Sequence, residues 1–212
     1  MEEFRKKLFK AASLILAFAM LISAGYTGTA ITQAKQKKNI VILYFSGTGT
    51  TKAAAQKIKT KTKGKLLEIK AAEPYTEDDL DYSNDDSRVT KEHESADSPA
   101  ESTVRPDIAN LSAIKKAVKK AEVVYIGYPI WWGEAPHIVY NLVENVSLNG
   151  KTVVPFCTSI SSGLGNSASN LKNSAQVSSK TKWLKGRNFY DVPSQKTVTQ
   201  LPSAKSRWVL SG

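Results

Sequence analysis

The segment NIVILYFSGTGTTKAAAQKI, residues 39–58, limits the fold more than any other part of the chain. From Ile40 to Phe45 every side chain is aliphatic or aromatic, with no alternation of apolar and polar positions. A strand of that kind has to be covered on both faces, so it belongs in a sheet sandwiched between helices. The remaining strands and the covering helices follow in turn. TKAAAQKIKTKT reads as a helix with its alanines and Ile58 turned inward, and GKLLEIKA as a second strand. IANLSAIKKAVKKA places Ile108, Leu111, Ile114 and Val118 at helical spacing and leads directly into the strand EVVYIGYP. PHIVYNLVENV is a helix opened by Pro136, a residue tolerated in a first turn. GKTVVPFCTS is a fourth strand and TKWLKGRNF a fifth. Strands alternating with helices pair in parallel. The pattern predicts an α/β fold, a doubly wound five-stranded parallel sheet with helices on both faces.

The 212 residues are enough for one domain with a proper core, and residues 39–212 are assigned to it. Ahead of it, residues 1–30 carry Arg5, Lys6, Lys7 and Lys10, then a charge-free stretch from Ala11 to Tyr26, then small residues. That order marks a secretory signal peptide, with cuts suited after Ala30 or Ala34, or an uncleaved N-terminal membrane anchor. Residues 31–38 form a linker, and the folded part is expected to be exported. At the other end Pro202 interrupts any closing helix, so residues 202–212 are expected to be an irregular tail.

Charge is unevenly placed. The chain carries +11, yet Glu73 to Glu101 holds eleven acids against two bases, so the remainder carries +20. Residues 73–106 therefore read as an acidic insert, either a solvated loop or a docking surface or lid for a basic partner. The basic remainder suits a polyanion-rich or membrane surface. No helix-turn-helix, RNA-binding aromatic motif or basic helical stripe is present, so nucleic acid is not an expected partner. A single cysteine, Cys157, rules out an internal disulfide and a multi-cysteine metal site, and its apolar neighbours suit a buried strand position. The two histidines, His93 and His137, are not clustered with other ligands, so no metal is expected. His137 is read as a helix-cap or surface residue.

Open parallel sheets bind ligands beyond the carboxyl ends of their strands, where strand order reverses. The loops after Phe45, Tyr128 and Thr158 are the ones to examine. Ser46-Gly47-Thr48-Gly49-Thr50-Thr51 joins two glycines, four hydroxyls and a helix N-terminus, a combination that suits a phosphate. It is neither a Walker A loop nor the dinucleotide fingerprint, whose third glycine is replaced by Lys52. After Tyr128 come Trp131, Trp132 and Gly133. The indoles either pack on the domain's own surface or wall a flat aromatic ligand. After Thr158 the loop SISSGLGNS is short, hydroxylic and glycine-rich.

FSGTGTTK resembles the FMN-phosphate loop of flavodoxins, Ser/Thr-x-Thr-Gly-x-Thr. GYPIWWGEAP, PFCTSISSGLGNS, and the insert with EPYTEDDLDY, Arg88, Glu92 and RPDI resemble one subgroup of that family. The likeness runs from Asn39 to Asn173. It implies a flavodoxin-like sheet and a non-covalent FMN. Ser46, Thr48, Gly49, Thr50 and Thr51 would cradle the phosphate. The isoalloxazine would lie between Pro129, Ile130, Trp131, Trp132 and Gly133 on one side and Ser159, Ser162, Gly163 and Gly165 on the other. Ile160 and Ser161 stand where family members often have glycine. The resemblance further implies an exported electron-transfer protein working between redox protein partners. An FMN-dependent NAD(P)H:quinone-type reductase and a binding module without flavin are the alternatives.

Overall fold

The structure, a computed structural model, describes residues 38–189. The segment 1–37 and the tail expected at 202–212 lie outside the described residues. The elements in chain order are β1 (Ile40–Tyr44), α1 (Thr50–Thr62), β2 (Lys65–Glu68) and a 3-10 turn (Asp78–Leu80). Then follow α2 (Arg88–His93), α3 (Leu111–Lys120), β3 (Val123–Pro129) and α4 (His137–Asn145). The last are β4 (Thr152–Thr158), α5 (Ser167–Ser174), β5 (Lys182–Trp183) and β6 (Arg187–Phe189).

All strand pairs are parallel, in the order β2-β1-β3-β4-β5, with β6 also on β4. The all-apolar β1 lies between β2 and β3 and is buried along its length. Its odd positions, Val41 and Leu43, join Val124, Ile126, Tyr128, Val153 and Cys157 under α3, α4 and α5. Its even positions, Ile40, Ile42 and Tyr44, join Tyr125, Val154, Phe156 and Phe189 under Ala54, Ala55 and Ile58 of α1. Because the chain leaves β1 for β2 on one side and crosses to β3 on the other, strand order reverses at β1. The crevice opens above its carboxyl end.

The expected fifth strand is delivered in two pieces, and Pro155 explains the break. The carbonyls of Lys151 and Val153 accept from the amides of Lys182 and Leu184, so odd residues of β4 face this edge. Pro155 is next in that series and has no N–H to offer the ladder. The edge chain swings past it at Gly186, where a Cβ would stand 2.6 Å from the Pro155 carbonyl oxygen. Pairing resumes at Phe156 with Arg187.

The acidic insert is folded, and a buried ionic knot holds it. Tyr75 Oη donates to both carboxylate oxygens of Glu92 (2.9 and 3.0 Å), and Arg88 Nε donates to Oε1 at 2.9 Å. The Arg88 guanidinium also lies 4.0 Å above the Tyr75 ring. Arg105 adds a two-pronged bond to Glu144 of α4 (2.7 and 2.8 Å). This pairing fastens the returning limb of the insert to the body of the domain.

Candidate functional site

The first loop is arranged around Ser46. Its hydroxyl oxygen accepts from the amides of Gly49 (3.0 Å) and Lys52 (3.3 Å). Gly49 caps α1 at φ +92°, a conformation that glycine adopts freely, and a Cβ there would meet no atom within 4 Å. The first helical hydrogen bond closes from Ala53 to Gly49. The amides of Thr50 and Thr51 therefore have no intrahelical acceptor and stand at the positive end of a 13-residue helix. The Thr48 and Thr50 hydroxyls lie 3.4 Å apart and are exposed. Thr51 is different. Its hydroxyl is buried against that of Thr158 at 2.7 Å, so it presents a ligand with its amide rather than its oxygen.

The second loop is a tight reversal. Trp131 and Glu134 exchange both backbone hydrogen bonds (3.0 and 2.9 Å), and Trp132 and Gly133 between them have φ of +46° and +84°. Positive φ at both central residues turns a two-residue hairpin. It also divides the indoles. Trp131 packs edge-on against Phe45 (5.6 Å) and Tyr75 (5.8 Å), which ties the loop to β1 and to the insert. Trp132 points outward, 42% exposed, stacked on His93 of α2 at 4.5 Å and 7° with Tyr82 at its edge. Pro129 ends β3 opposite Thr158, and the Ile130 amide donates to the Thr158 carbonyl at 3.1 Å.

In the third loop the hydroxyls of Ser159 and Ser162 bond each other at 2.9 Å, and the Ser162 amide donates to Ser159 Oγ. Gly163 and Gly165 both have positive φ, and Ile160 between the serines is 77% exposed. A Cβ on Gly165 would lie 3.5 Å from the Gly133 carbonyl oxygen, so the second and third loops touch there. One on Gly47 would lie 3.2 Å from Leu80 and 3.7 Å from Trp131, so the first loop meets the insert and the second loop. The three loops thus converge above β1, β3 and β4, and the Thr51–Thr158 bond locks the first to the third.

Sequence patterning had not singled out several residues that shape this mouth. Thr158, Phe45, Tyr75, Leu80 and His93 each brace a loop, and three of them come from the insert, which has no periodicity to expose them. Glu134 is a further brace. Its carboxylate accepts from Asn170 of α5 (2.6 Å) and Tyr140 (3.3 Å), while burial raises its pKa against the pull of those bonds. His137 is not a surface residue. It is 4% exposed, its Nδ1–H donates to the Val104 carbonyl at 3.2 Å, and its buried Nε2 has no partner. Burial lowers its pKa, opposed by that hydrogen bond. Cys157 lies deep in β4, where burial pushes its thiol up to about 12.

The residues present fit a phosphate-ended flavin. Two first-turn amides are left for an anion, open space lies over Gly49 and Gly133, and the half-exposed Trp132 indole adjoins Gly133. The flavodoxin family model matches residues 38–202, and the chain belongs to the flavodoxin family. FMN is the cofactor that goes with that family. A protein of Bacteroides eggerthii designated a flavoprotein is similar at 40% identity and a TM-score of 0.65, over 76% of this chain and 94% of its own. Another, of Bacteroides uniformis, is similar at 31% identity and a TM-score of 0.61, over 78% and 97%. A flavoprotein of Lactobacillus acidophilus solved in complex with FMN is 21% identical, with a TM-score of 0.47 over 69% and 90%. Among curated proteins none matches.

Proposed function

We propose that this chain is an exported FMN-binding electron carrier that exchanges electrons with protein partners at the mouth formed by its three loops. The observation that carries the proposal is the pair of unsatisfied amides at Thr50 and Thr51, in a first loop that the Thr51–Thr158 bond locks to the third and that meets the second at Gly47 and Trp131. The amides and the helix dipole would hold the phosphate dianion, with the Thr48 and Thr50 hydroxyls as further donors. Trp132, Gly133 and the Gly163–Gly165 stretch would border the ring. FMN, when bound, takes up and returns electrons one or two at a time. The protein's part is to orient the ring and keep one edge open. The apolar indole would disfavour negative charge on the ring. Gly133 leaves its peptide free to turn toward whichever hydrogen bond the ring presents.

A carrier is favoured by the surface around the mouth. Tyr82, Trp132 and Ile160 are three of the large apolar side chains exposed among the described residues, and they come from the insert and two ligand loops. Exposed carboxylates of Glu77, Asp78, Asp81 and Asp85 lie on the same insert. An apolar centre with a charged rim is the composition of a transient protein interface. Export is supported by the basic, apolar and small-residue order of residues 1–30. The test is to load the protein with FMN and add NADPH alone. A carrier keeps its oxidised absorbance until a reductase protein is supplied. Rapid bleaching by NADPH, followed by turnover with a quinone, would replace this proposal with the reductase.

A further inference from the structure

The end of the sheet opposite the ligand loops carries the opposite charge from the insert. It is built by residues 60–65, 116–123, 146–152 and 176–182, where helices finish and strands begin. These segments contain nine lysines and one carboxylate, Glu122. Glu122 Oε1 accepts from the Asn39 amide at 3.3 Å. Lys61, Lys63, Lys65, Lys119, Lys120 and Lys182 are all exposed, and none forms an ion pair among the described residues. They extend from β2 at one edge to β5 at the other, a span of roughly 20 Å at ordinary strand spacing.

The chain enters β1 at this same end, through the exposed Lys38 and Asn39. Between Tyr26 and Lys38 lie eleven residues, which reach at most ~40 Å fully extended. Retained as a membrane anchor rather than cleaved as a signal, the apolar stretch Ala11–Tyr26 would lead into the domain at the lysine-rich end and not at the ligand loops. At the far end the insert carries eleven acids against three bases. An anionic surface would attract one pole of the domain and repel the other.

We propose that the lysine-rich end is a docking face for anionic phospholipid headgroups, seating the domain with its three ligand loops turned away from the bilayer. The inference rests on charge placement and the point of chain entry, and does not depend on FMN binding.

The test uses the full chain on vesicles of neutral phosphatidylcholine and on vesicles enriched in phosphatidylglycerol, at low and high salt. Partitioning and amide hydrogen exchange are read together, because exchange reports the seated face even when the apolar stretch alone holds the chain on both vesicle types. On anionic vesicles at low salt, segments 60–65 and 116–123 gain protection and residues 129–134 do not. High salt removes the gain. Two variants with the same change in net charge separate placement from total charge. Lys65→Glu/Lys120→Glu should lose the protection and weaken the anionic gain in partitioning by about tenfold. Lys70→Glu/Lys91→Glu, altered near the ligand loops and insert, should retain both. Protection identical on the two vesicle types, protection at 129–134 instead, or equal losses in the two variants would each overturn the proposal.

Discussion

Gly49 connects backbone geometry to affinity. Its φ of +92° sets the direction in which the Thr50 and Thr51 amides point, and no atom crowds the place of a Cβ. Gly49→Ala therefore introduces strain without a clash, at about 1–2 kcal/mol. If that strain is relieved by tilting the first turn, FMN affinity should fall by about tenfold. Titration followed by flavin fluorescence checks this. His137 makes a separate prediction about pH. With Nδ1–H donated to Val104, a second proton would enter at the buried, unpartnered Nε2. Its folded pKa is depressed below the ordinary 6.5, so the unfolded chain binds the proton more readily. The stability it contributes is present above the unfolded value and is lost as pH falls from there through the folded value. Glu92 and Glu134, raised by burial, act in the opposite sense in the acidic range. The difference between parent and His137→Gln melts isolates the histidine, and the variant should lose less stability below pH 6.5.

At the scale of elements, the insert is held by a knot that one substitution can open. Tyr75→Phe deletes a hydroxyl that donates to both oxygens of a buried carboxylate while leaving the ring against Phe45 and Trp131. The expected cost is about 1–3 kcal/mol in denaturant unfolding, with Trp132 fluorescence changing as α2 loosens. That the insert braces the mouth was not legible in the sequence, because its contacts are long-range and its composition is that of a solvated loop. The strands and the helices α1, α3 and α4 were legible, since Ile40–Phe45, Ile114/Val118 and Ile138/Leu142 announce their periods directly. Helix α5 escaped notice. SASNLKNS buries only Ser167, Ala168 and Leu171, too few apolar side chains to mark a helical face. The break between β5 and β6 was also hidden, since it is imposed by Pro155 from the neighbouring strand. Of the site, the glycine and hydroxyl pattern revealed the phosphate cradle. The inward turn of Thr51 and the parting of the two indoles depend on packing that no local pattern encodes.

Across the whole molecule, the two ends of one sheet carry opposite charge. The carboxyl ends of β1, β3 and β4 gather the ligand loops and the acidic insert, and the amino ends gather lysines. Such a polarity orients the domain in an external field without altering its fold. A basic redox partner should accordingly associate faster at low ionic strength, and stopped-flow rates that fall with added salt would show the insert steering the encounter. The redox role presupposes that the mouth holds a flavin. The most direct measurement is a titration of the purified protein with FMN, followed by flavin fluorescence and by the melting temperature. The expected result is saturable quenching at one FMN per chain with a rise in melting temperature, both reduced in Gly49→Ala. Unquenched fluorescence and an unmoved melting temperature in excess FMN would contradict it.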